Sequence, residues 1–185
     1  MINLWVWLKK FLVAGTHNVI YQRKNSIFLH KQGFSVKAID SSYYAIAEAR
    51  NYEPGIDWNV QDIRKFTDNA NKYDLIVMTG SLHCLATKDE VIDVVNNMKR
   101  ITKNGGYHVL SAFNCTKQDL SGHSPDFHPL LLSHDDYLSL YNDWEIIFES
   151  NVIQSDVHPN NGIQHKHAIT RILAKKVKKE FDYGE

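Results

Sequence analysis

From residue 26 onward, segments whose apolar residues have the spacing of a helix alternate with segments that have the spacing of a strand. The residues Ser26–Gln32 predict a helix that stops at Gly33, which suits the left-handed position after a helix. Phe34–Ile39 then alternates apolar and polar side chains, as a strand does. Ser41 or Ser42 can cap the helix that follows. This alternation predicts βαβ units and therefore a mainly parallel sheet.

The same order of elements continues to residue 113. The apolar run Tyr73–Met78 is typical of a strand buried on both faces. The other predicted elements are a strand at Ile56–Val60, a helix at Lys88–Thr102 that Gly105 and Gly106 end, and a strand at Tyr107–Phe113.

The pattern changes after Asn114. A loop and a short helix near Asp135–Tyr141 precede two predicted strands, Trp144–Ser150 and His167–Lys175. Only a polar loop separates these strands, which is too short for a parallel crossover, so we expect them to pair antiparallel. The predicted fold class is α/β, with a mainly parallel sheet that ends in an antiparallel hairpin.

Composition narrows the class of protein. The 185 residues suit one domain, 1–185, with 1–24 as an atypical N-terminal segment and 177–185 as a disordered tail. Basic and acidic residues both number 21, so nothing global favours a nucleic-acid or membrane partner. Cys84 and Cys115 cannot form a disulfide framework, and Met1–Ala14 is a poor signal peptide. We therefore expect a cytoplasmic protein with a small-molecule partner; the sequence leaves its oligomeric state open.

Four segments resemble a known family. Asn25-Ser-Ile-Phe-Leu-His-Lys-Gln-Gly-Phe-Ser-Val-Lys-Ala-Ile-Asp40 is similar to the first helix and second strand of the small tellurite-resistance methyltransferases. Tyr73-Asp-Leu-Ile-Val-Met78 resembles their fourth strand, and Gly105-Gly106-Tyr-His-Val-Leu110 their fifth. His165-Lys-His167, followed by Ala174-Lys175-Lys176, matches the end of these enzymes. The resemblance implies a Rossmann-like class I methyltransferase fold and S-adenosylmethionine as cofactor.

The resemblance also implies a cofactor site, made of Asp40, Ser41, Asp62, Ile63, Thr79 and Gly80. Asp40 would accept hydrogen bonds from the ribose hydroxyls, and Asp62 would receive the adenine amino group while Ile63 packs against the ring. Thr79 and Gly80 follow the fourth strand, at the edge where ligands bind in open α/β sheets. Each has a purely structural alternative: a helix cap for either aspartate, and a surface turn for Thr79–Gly80.

One motif departs from the family. A glycine-rich loop normally follows the first strand, but ungapped alignment puts Val19, Tyr21 and Arg23 at the glycine positions and His17 at the acidic one. Such side chains would fill part of the cofactor pocket, and valine and tyrosine resist left-handed backbone conformations. Three explanations stay open: a rebuilt loop that still binds cofactor, a fold that has lost cofactor binding, or a segment 1–24 that is not the family's first strand.

The ten histidines raise the question of metal binding. His165 and His167 lie on one face of a predicted strand, and with His83, Cys84 or His108 they could ligate zinc. Because no HExxH or CxxC motif accompanies them, we predict no metal site. The resemblance instead places His83, His165 and His167 at the substrate end of the cleft.

The functional prediction is methyl transfer from S-adenosylmethionine to a small acceptor, with a chalcogen oxyanion or thiol implied only by the resemblance. His83 and His165 are the candidates if an acceptor proton must be removed. We expect Cys84 to be a buried, inert thiol, and the loop Cys115–Ser133 to overhang the substrate side as a lid or as a plain connection. The alternative function is a catalytically inactive, methyltransferase-like binding or regulatory protein that has lost the cofactor.

Overall fold

A computed structural model of the chain describes residues 10–15, 19–157 and 161–177. Within these ranges seven strands form one sheet. In chain order the elements are β1 (Lys10–Gly15), α1 (Val19–Lys31), β2 (Ser35–Asp40), α2 (Tyr43–Tyr52), β3 (Asp57–Val60), β4 (Tyr73–Thr79), a short 3-10 helix (Leu82–Cys84), α3 (Lys88–Ile101), β5 (Thr102–Phe113), α4 (His134–Ser139), β6 (Glu145–Val157) and β7 (Gln164–Lys175).

The strands lie in the order β3-β2-β1-β4-β5-β7-β6. Strands β1 to β5 pair in parallel, whereas β7 is antiparallel to both β5 and β6. The prediction of a mainly parallel sheet that ends in an antiparallel hairpin is confirmed. The strand order reverses direction between β1 and β4, and the edge above this point is where open α/β sheets bind ligands.

Helices cover both faces of the sheet because the central strands are apolar on both sides. In β4, Ile76 and Met78 belong to one core cluster, which also contains the buried face of α3. Leu75 and Val77 belong to the other cluster, which contains buried residues of α1 and α2. The apolar run that predicted a doubly buried strand therefore describes β4 correctly. No helix of the described residues is both long and apolar enough to cross a bilayer.

Local signals explain two helix ends. Ser42 caps α2, since its Oγ accepts a hydrogen bond of 3.2 Å from the Ala45 amide. Gly33 follows α1 with φ of +86°, the left-handed conformation predicted for it. The prediction that Gly105 and Gly106 end the third helix is wrong: α3 ends at Ile101 and both glycines lie within β5.

Two further boundaries differ from the prediction. Helix α1 begins at Val19 rather than Ser26. The hairpin strands are longer than predicted, Glu145–Val157 and Gln164–Lys175, because polar residues of β6 continue to pair with β7. Strand β6 is the edge of the sheet, so its polar side chains reach water at little cost and give no apolar signal.

The N-terminal segment does supply the family's first strand. Lys10–Gly15 pairs in parallel with β2 on one side and with β4 on the other. The explanation that this segment lies outside the usual first strand is therefore wrong. Residues 1–9, 16–18, 158–160 and 178–185 lie outside the described residues. Most of Met1–Ala14, which the sequence analysis considered as a signal peptide, and most of the predicted tail 177–185 are therefore not described.

A directed chain of hydrogen bonds runs through the core beneath α3. Tyr141, fully buried, donates its hydroxyl to His108 Nδ1 at 2.9 Å. His108 Nε2 contacts Thr102 Oγ1 at 2.8 Å, and that hydroxyl donates to the Met98 carbonyl at 2.7 Å. Because the Thr102 hydroxyl donates onward, the His108 proton lies on Nε2 and Nδ1 accepts from Tyr141. This histidine is a structural residue.

Tyr141→Phe removes the donor to His108 Nδ1 and leaves that buried acceptor unpaired. We expect the free energy of unfolding to fall by about 1–3 kcal/mol, measured by denaturant titration. Tyr44→Phe is the matched control, because Tyr44 is 84% exposed and should change stability by less than about 0.5 kcal/mol. Equal stability of the two variants would contradict the proposed hydrogen-bond chain.

Candidate functional site

A cleft of about 450 Å³ opens at the carboxyl ends of β4 and β5. Thr79 and Gly80 from the end of β4 and Phe113 from the end of β5 line it. The antiparallel hairpin closes one side through His167 and Arg171, among others. The cleft therefore lies next to the reversal of strand order, on the side of β4, β5 and the hairpin.

The other side of the reversal carries Asp40. The register pairs Gly15, the last residue of β1, with Asp40, the last residue of β2, and pairs Ala14 with Met78 of β4. Asp40 is only 3% exposed, and its Oδ1 accepts a hydrogen bond of 2.7 Å from the Ser42 amide. The carboxylate therefore stabilises the start of α2, which agrees with the alternative of a helix cap, and it lies at the carboxyl end of β2.

Asp62 lies outside the cleft and is paired with Arg64. The Arg64 guanidinium donates to both carboxylate oxygens of Asp62 at 2.6–3.0 Å and extends to Glu90 at 3.2 Å. The hydrogen bonds from Arg64 lower the pKa of the Asp62 carboxyl. Ile63 is 1% exposed and belongs to the core. A ligand that used Asp62 would share the carboxylate with Arg64.

Thr79 and Gly80 do reach the cleft. Asn25 of α1 donates its amide to Thr79 Oγ1 at 3.2 Å, and Gly80 adopts φ of +71°, a conformation that favours glycine. The Gly80 amide in turn donates to the Ser111 carbonyl of β5 at 3.0 Å. Helix α1 and strands β4 and β5 therefore meet at this corner of the cleft.

The segment where the family has its glycines is helical. Val19, Tyr21 and Arg23 belong to α1, so their backbone does not need the left-handed conformations that valine and tyrosine resist. The Arg23 side chain contacts α2 rather than the cleft, with Nη1 2.5 Å from Glu48 Oε1 and its guanidinium 5.0 Å from the Tyr52 ring centroid. The expectation that all three side chains fill the cofactor pocket is therefore wrong for Arg23.

His83 lies in the floor of the cleft against Phe113. The two rings stack at 4.3 Å, and His83 Nδ1 accepts the Phe113 amide at 3.2 Å. His167 stacks on Phe113 at 4.2 Å. Burial, with repulsion from the neighbouring histidines, lowers the pKa of His83 to about 3. This side chain is neutral at physiological pH and is a weak base.

Three histidines converge beside the cleft, namely His123, His165 and His167, and the first and the last of them line it. His165 Nε2 and His167 Nε2 are 2.9 Å apart, and His123 Nε2 lies 3.3 Å from His167 Nε2. The shared strand face of His165 and His167 is confirmed, since both are 2% exposed. His123 comes from the loop after β5, and sequence spacing gave no link between it and the pair.

The predicted zinc partners of this pair lie elsewhere in the described residues. His108 belongs to the buried chain beneath α3, and neither His83 nor Cys84 belongs to the histidine cluster. Cys84 is exposed and lines the cleft, so the prediction of a buried thiol is wrong. In the short 3-10 helix, the buried side chains are those of Leu82 and His83, which leaves Cys84 outside.

The loop between β5 and α4 forms part of the cleft wall, as the overhang prediction required. His123 and Phe127 stack at 4.6 Å, and both line the cleft together with Ser124. The Leu130 amide donates to the His83 carbonyl at 2.8 Å and ties the loop to the end of β4. The loop is therefore anchored against the cleft at the carboxyl ends of β4 and β5.

Comparison with known proteins decides the family. The profile of a family described as "Tellurite resistance protein TehB" matches residues 16–172. The chain belongs to the TehB family. The match extends from the residue after β1 into β7 of this TehB-family chain, and it includes every residue that lines the cleft described above.

Individual relatives agree with this assignment. The chain is 27% identical over 160 residues to the "Probable S-adenosyl-L-methionine-dependent methyltransferase TehB" of Haemophilus influenzae, covering 84% of this chain and 54% of the relative. The TehB-family chain thus spans about half the length of that relative. The crystal structure of TehB from H. influenzae superposes with a TM-score of 0.70 at 23% identity, over 92% of this chain and 58% of the other.

A third match comes from a solved structure of similar size. It is described as a SAM-dependent methyltransferase from Methanosarcina mazei and gives a TM-score of 0.73 at 15% identity, over 95% of this chain and 96% of the other. At this identity the likeness shows the fold alone. The predicted methyltransferase fold is confirmed.

Because His83 is buried and neutral, we predict that the free energy of unfolding depends on pH. Its pKa is about 3 in the folded chain, whereas an unfolded imidazole titrates near about 6.5. Between these values the unfolded state binds more protons, so acidification favours unfolding by up to about 1.4 kcal/mol per pH unit. We expect His83→Asn, whose Oδ1 can still accept the Phe113 amide, to reduce the loss of stability between pH 6 and pH 4.

Denaturant unfolding at several pH values measures this effect. The control is His128→Asn, in the same region but with an exposed side chain, which should retain the pH dependence of the native chain. If His83→Asn and His128→Asn gave the same slope of unfolding free energy against pH, His83 would not be the neutral, buried group described here.

Proposed function

We propose that this TehB-family chain binds S-adenosylmethionine and transfers its methyl group to a small acceptor in the cleft. One observation carries the proposal: a buried acidic residue, Asp40, lies beside the end of β1 at the reversal of strand order, and the cleft opens on the other side of that reversal. In open α/β sheets this edge binds the ligand.

The residues of the edge fit the cofactor's polar groups. Asp40 would accept hydrogen bonds from the ribose hydroxyls and would keep the hydrogen bond that it accepts from the Ser42 amide. Ser41 is exposed next to it. Asp62 and Ile63 lie beyond β3, where the adenine would reach. Thr79 and Gly80 would hold the methionine end near the cleft. Bound there, the cofactor supplies an electrophilic sulfonium methyl group.

The start of α1 replaces the missing glycine loop in this proposal. Helix α1 begins four residues after Gly15, and the first amides of a helix have no partner within the helix and favour negative groups. They would meet the carboxylate of the cofactor without the positive φ angles for which glycines are needed. Of the explanations left open by the sequence, this favours a rebuilt connection.

The cleft suits a small, partly apolar or anionic acceptor. Phe113 and Phe127 provide aromatic walls, and Arg171 supplies a positive charge, its Nη2 bonded to Gln154 Oε1 at 2.8 Å. A lone pair of the acceptor would form the new bond to the methyl carbon while the carbon–sulfur bond breaks and its electrons remain on sulfur. The chain's task is to align the acceptor and exclude water.

An acceptor without a proton to lose, such as a chalcogen oxyanion, needs no base. For a thiol, His123 lines the cleft and is the better candidate base than the two histidines named from the sequence. His83 is a weak base because of its burial, and His165 contacts His167 and the Ile163 carbonyl. We therefore assign His165 a positioning role.

The alternative is a methyltransferase-like protein without catalysis. The observation that favours it is the pairing of Asp62 with Arg64, together with the absence of the glycine loop. An Asp62 carboxylate neutralised by arginine offers less to an adenine amino group. The two functions differ in their affinity for the cofactor.

Titration calorimetry with S-adenosylhomocysteine tests the proposal. We expect a Kd in the micromolar range or tighter, about −8 kcal/mol. Asp40→Asn should weaken binding by about 10-fold or more, since it removes the charge from bonds to the ribose hydroxyls, while its Oδ1 still accepts the Ser42 amide. Asp40→Ala should weaken binding further.

The control is the melting temperature of each variant without ligand, which separates loss of binding from loss of folding. If the folded native chain gave no heat and no thermal stabilisation at millimolar S-adenosylhomocysteine, the proposed methyltransferase activity would be refuted. The alternative of a methyltransferase-like binding protein without catalysis would then stand.

Acceptor preference gives a further prediction. With S-adenosylmethionine present, we expect formation of S-adenosylhomocysteine with selenite, tellurite or a small thiol. Arg171→Gln should raise KM for an oxyanion by about 10-fold, because a charge-assisted hydrogen bond is worth about 1.5–3 kcal/mol, and should change KM for a neutral thiol much less. Equal effects on both acceptors would contradict a role for Arg171 in acceptor binding.

A further inference from the structure

The three converging histidines have the spacing of metal ligands. Their ligand nitrogens all lie within 4.8 Å of one another, with separations from His167 Nε2 of 2.9 Å to His165 and 3.3 Å to His123. Around a tetrahedral zinc ion with Zn–N bonds of about 2.0–2.1 Å, ligand nitrogens lie about 3.3 Å apart. Small shifts of these rings would place all three around one ion.

The surroundings hold each ring in place. His165 Nδ1 lies 2.9 Å from the Ile163 carbonyl, so its proton points at that oxygen and Nε2 faces the cluster, an arrangement typical of a metal-ligating histidine. A Cβ at Gly122 would come within 2.2 Å of His165 Nδ1, so this glycine makes room for the ring. Phe113 and Phe127 stack on the other two histidines.

An acidic side chain lies beside the cluster. Asp156 Oδ2 is 3.8 Å from His167 Nε2, and Asp156 lines the cleft together with His123 and His167. Three imidazoles and one carboxylate form a donor set suited to zinc and similar divalent transition ions. A coordination position on this side would face the cleft.

The structure assigns a binding site for a divalent transition-metal ion, with zinc as the probe, to His123, His165 and His167, with Asp156 as the fourth donor. The ligands come from the loop after β5 and from the β6–β7 hairpin. The assignment is independent of cofactor binding, because none of these residues belongs to the proposed S-adenosylmethionine site.

Gln118 sets the affinity of this site. Its Oε1 accepts the Ala168 amide at 2.9 Å, so its amide nitrogen must donate to His167 Nδ1, 2.6 Å away. His167 therefore carries its proton on Nε2, the nitrogen that would bind metal. Metal binding requires that proton to move to Nδ1, where it would face the donating Gln118 amide nitrogen. A glutamate at position 118 would accept from both the Ala168 amide and the His167 Nδ1–H.

The experiment is a competition titration of the full chain with zinc chloride against a chromogenic chelator. We expect one zinc ion per chain. His123→Gln should weaken binding at least about 10-fold, whereas His128→Gln, an exposed histidine of the same loop, should leave it unchanged. Gln118→Glu should tighten binding by about 10–100-fold, the usual effect of a carboxylate behind a ligating histidine. Thermal melts establish that each variant is folded.

Three results would overturn the assignment. The first is the absence of saturable, one-to-one binding by the native chain. The second is an equal loss of affinity in His123→Gln and His128→Gln, which would place the zinc on surface histidines. The third is a Gln118→Glu chain that binds zinc no more tightly, because His167 would then not be a ligand.

Discussion

The position of β1 between β2 and β4 is the constraint on which the rest of the structure depends. Leu12, Val13 and Ala14 are at most 1% exposed, so both faces of this short strand are covered. Its pairing on both sides fixes where the strand order reverses, and open α/β sheets bind ligands at the edge above such a reversal. The position of this single strand therefore determines where Asp40 and the cleft lie relative to each other.

The same constraint explains how the fold tolerates the loss of the glycine loop. A glycine loop is needed when backbone must turn through left-handed conformations close to a ligand. Here α1 begins at Val19, so valine and tyrosine occupy helical positions that they adopt readily. Arg23 uses the same helix to reach Glu48 of α2. The departure from the family motif is thus a change of local structure within an unchanged sheet.

Much of the fold could be predicted because its signals are local. The apolar run of β4, the glycine after α1 and the short connection of the hairpin each constrain the backbone within a few residues. The edge strand β6 could not be predicted in full, because its polar residues from Asn151 onward are held by pairing with β7 rather than by burial. The end of α3 was missed because glycines are compatible with both a helix end and a strand bulge.

The candidate site was predictable only where one element supplies it. Asp40, Thr79 and Gly80 lie at the ends of strands and were named from the family resemblance, whereas the shared strand face of His165 and His167 follows from their spacing. Their partners come from distant segments. His123 and Gln118 lie in a loop whose path depends on contacts such as the Leu130 amide with the His83 carbonyl. No periodicity records such contacts, which is why the predicted partners were His83, Cys84 and His108.

Gln118 determines which ring nitrogen of His167 carries the proton. By donating to His167 Nδ1 it fixes the proton on Nε2, and that proton points towards His165 Nε2 or His123 Nε2. In this state His167 holds a proton on the nitrogen that faces the cluster, where a metal ion would need a lone pair. With the proton moved to Nδ1 it would offer a lone pair, which suits a cation. A neutral imidazole has one proton for two nitrogens, so the Gln118 amide, itself fixed by the Ala168 backbone, holds the His167 proton on the nitrogen that faces the cluster.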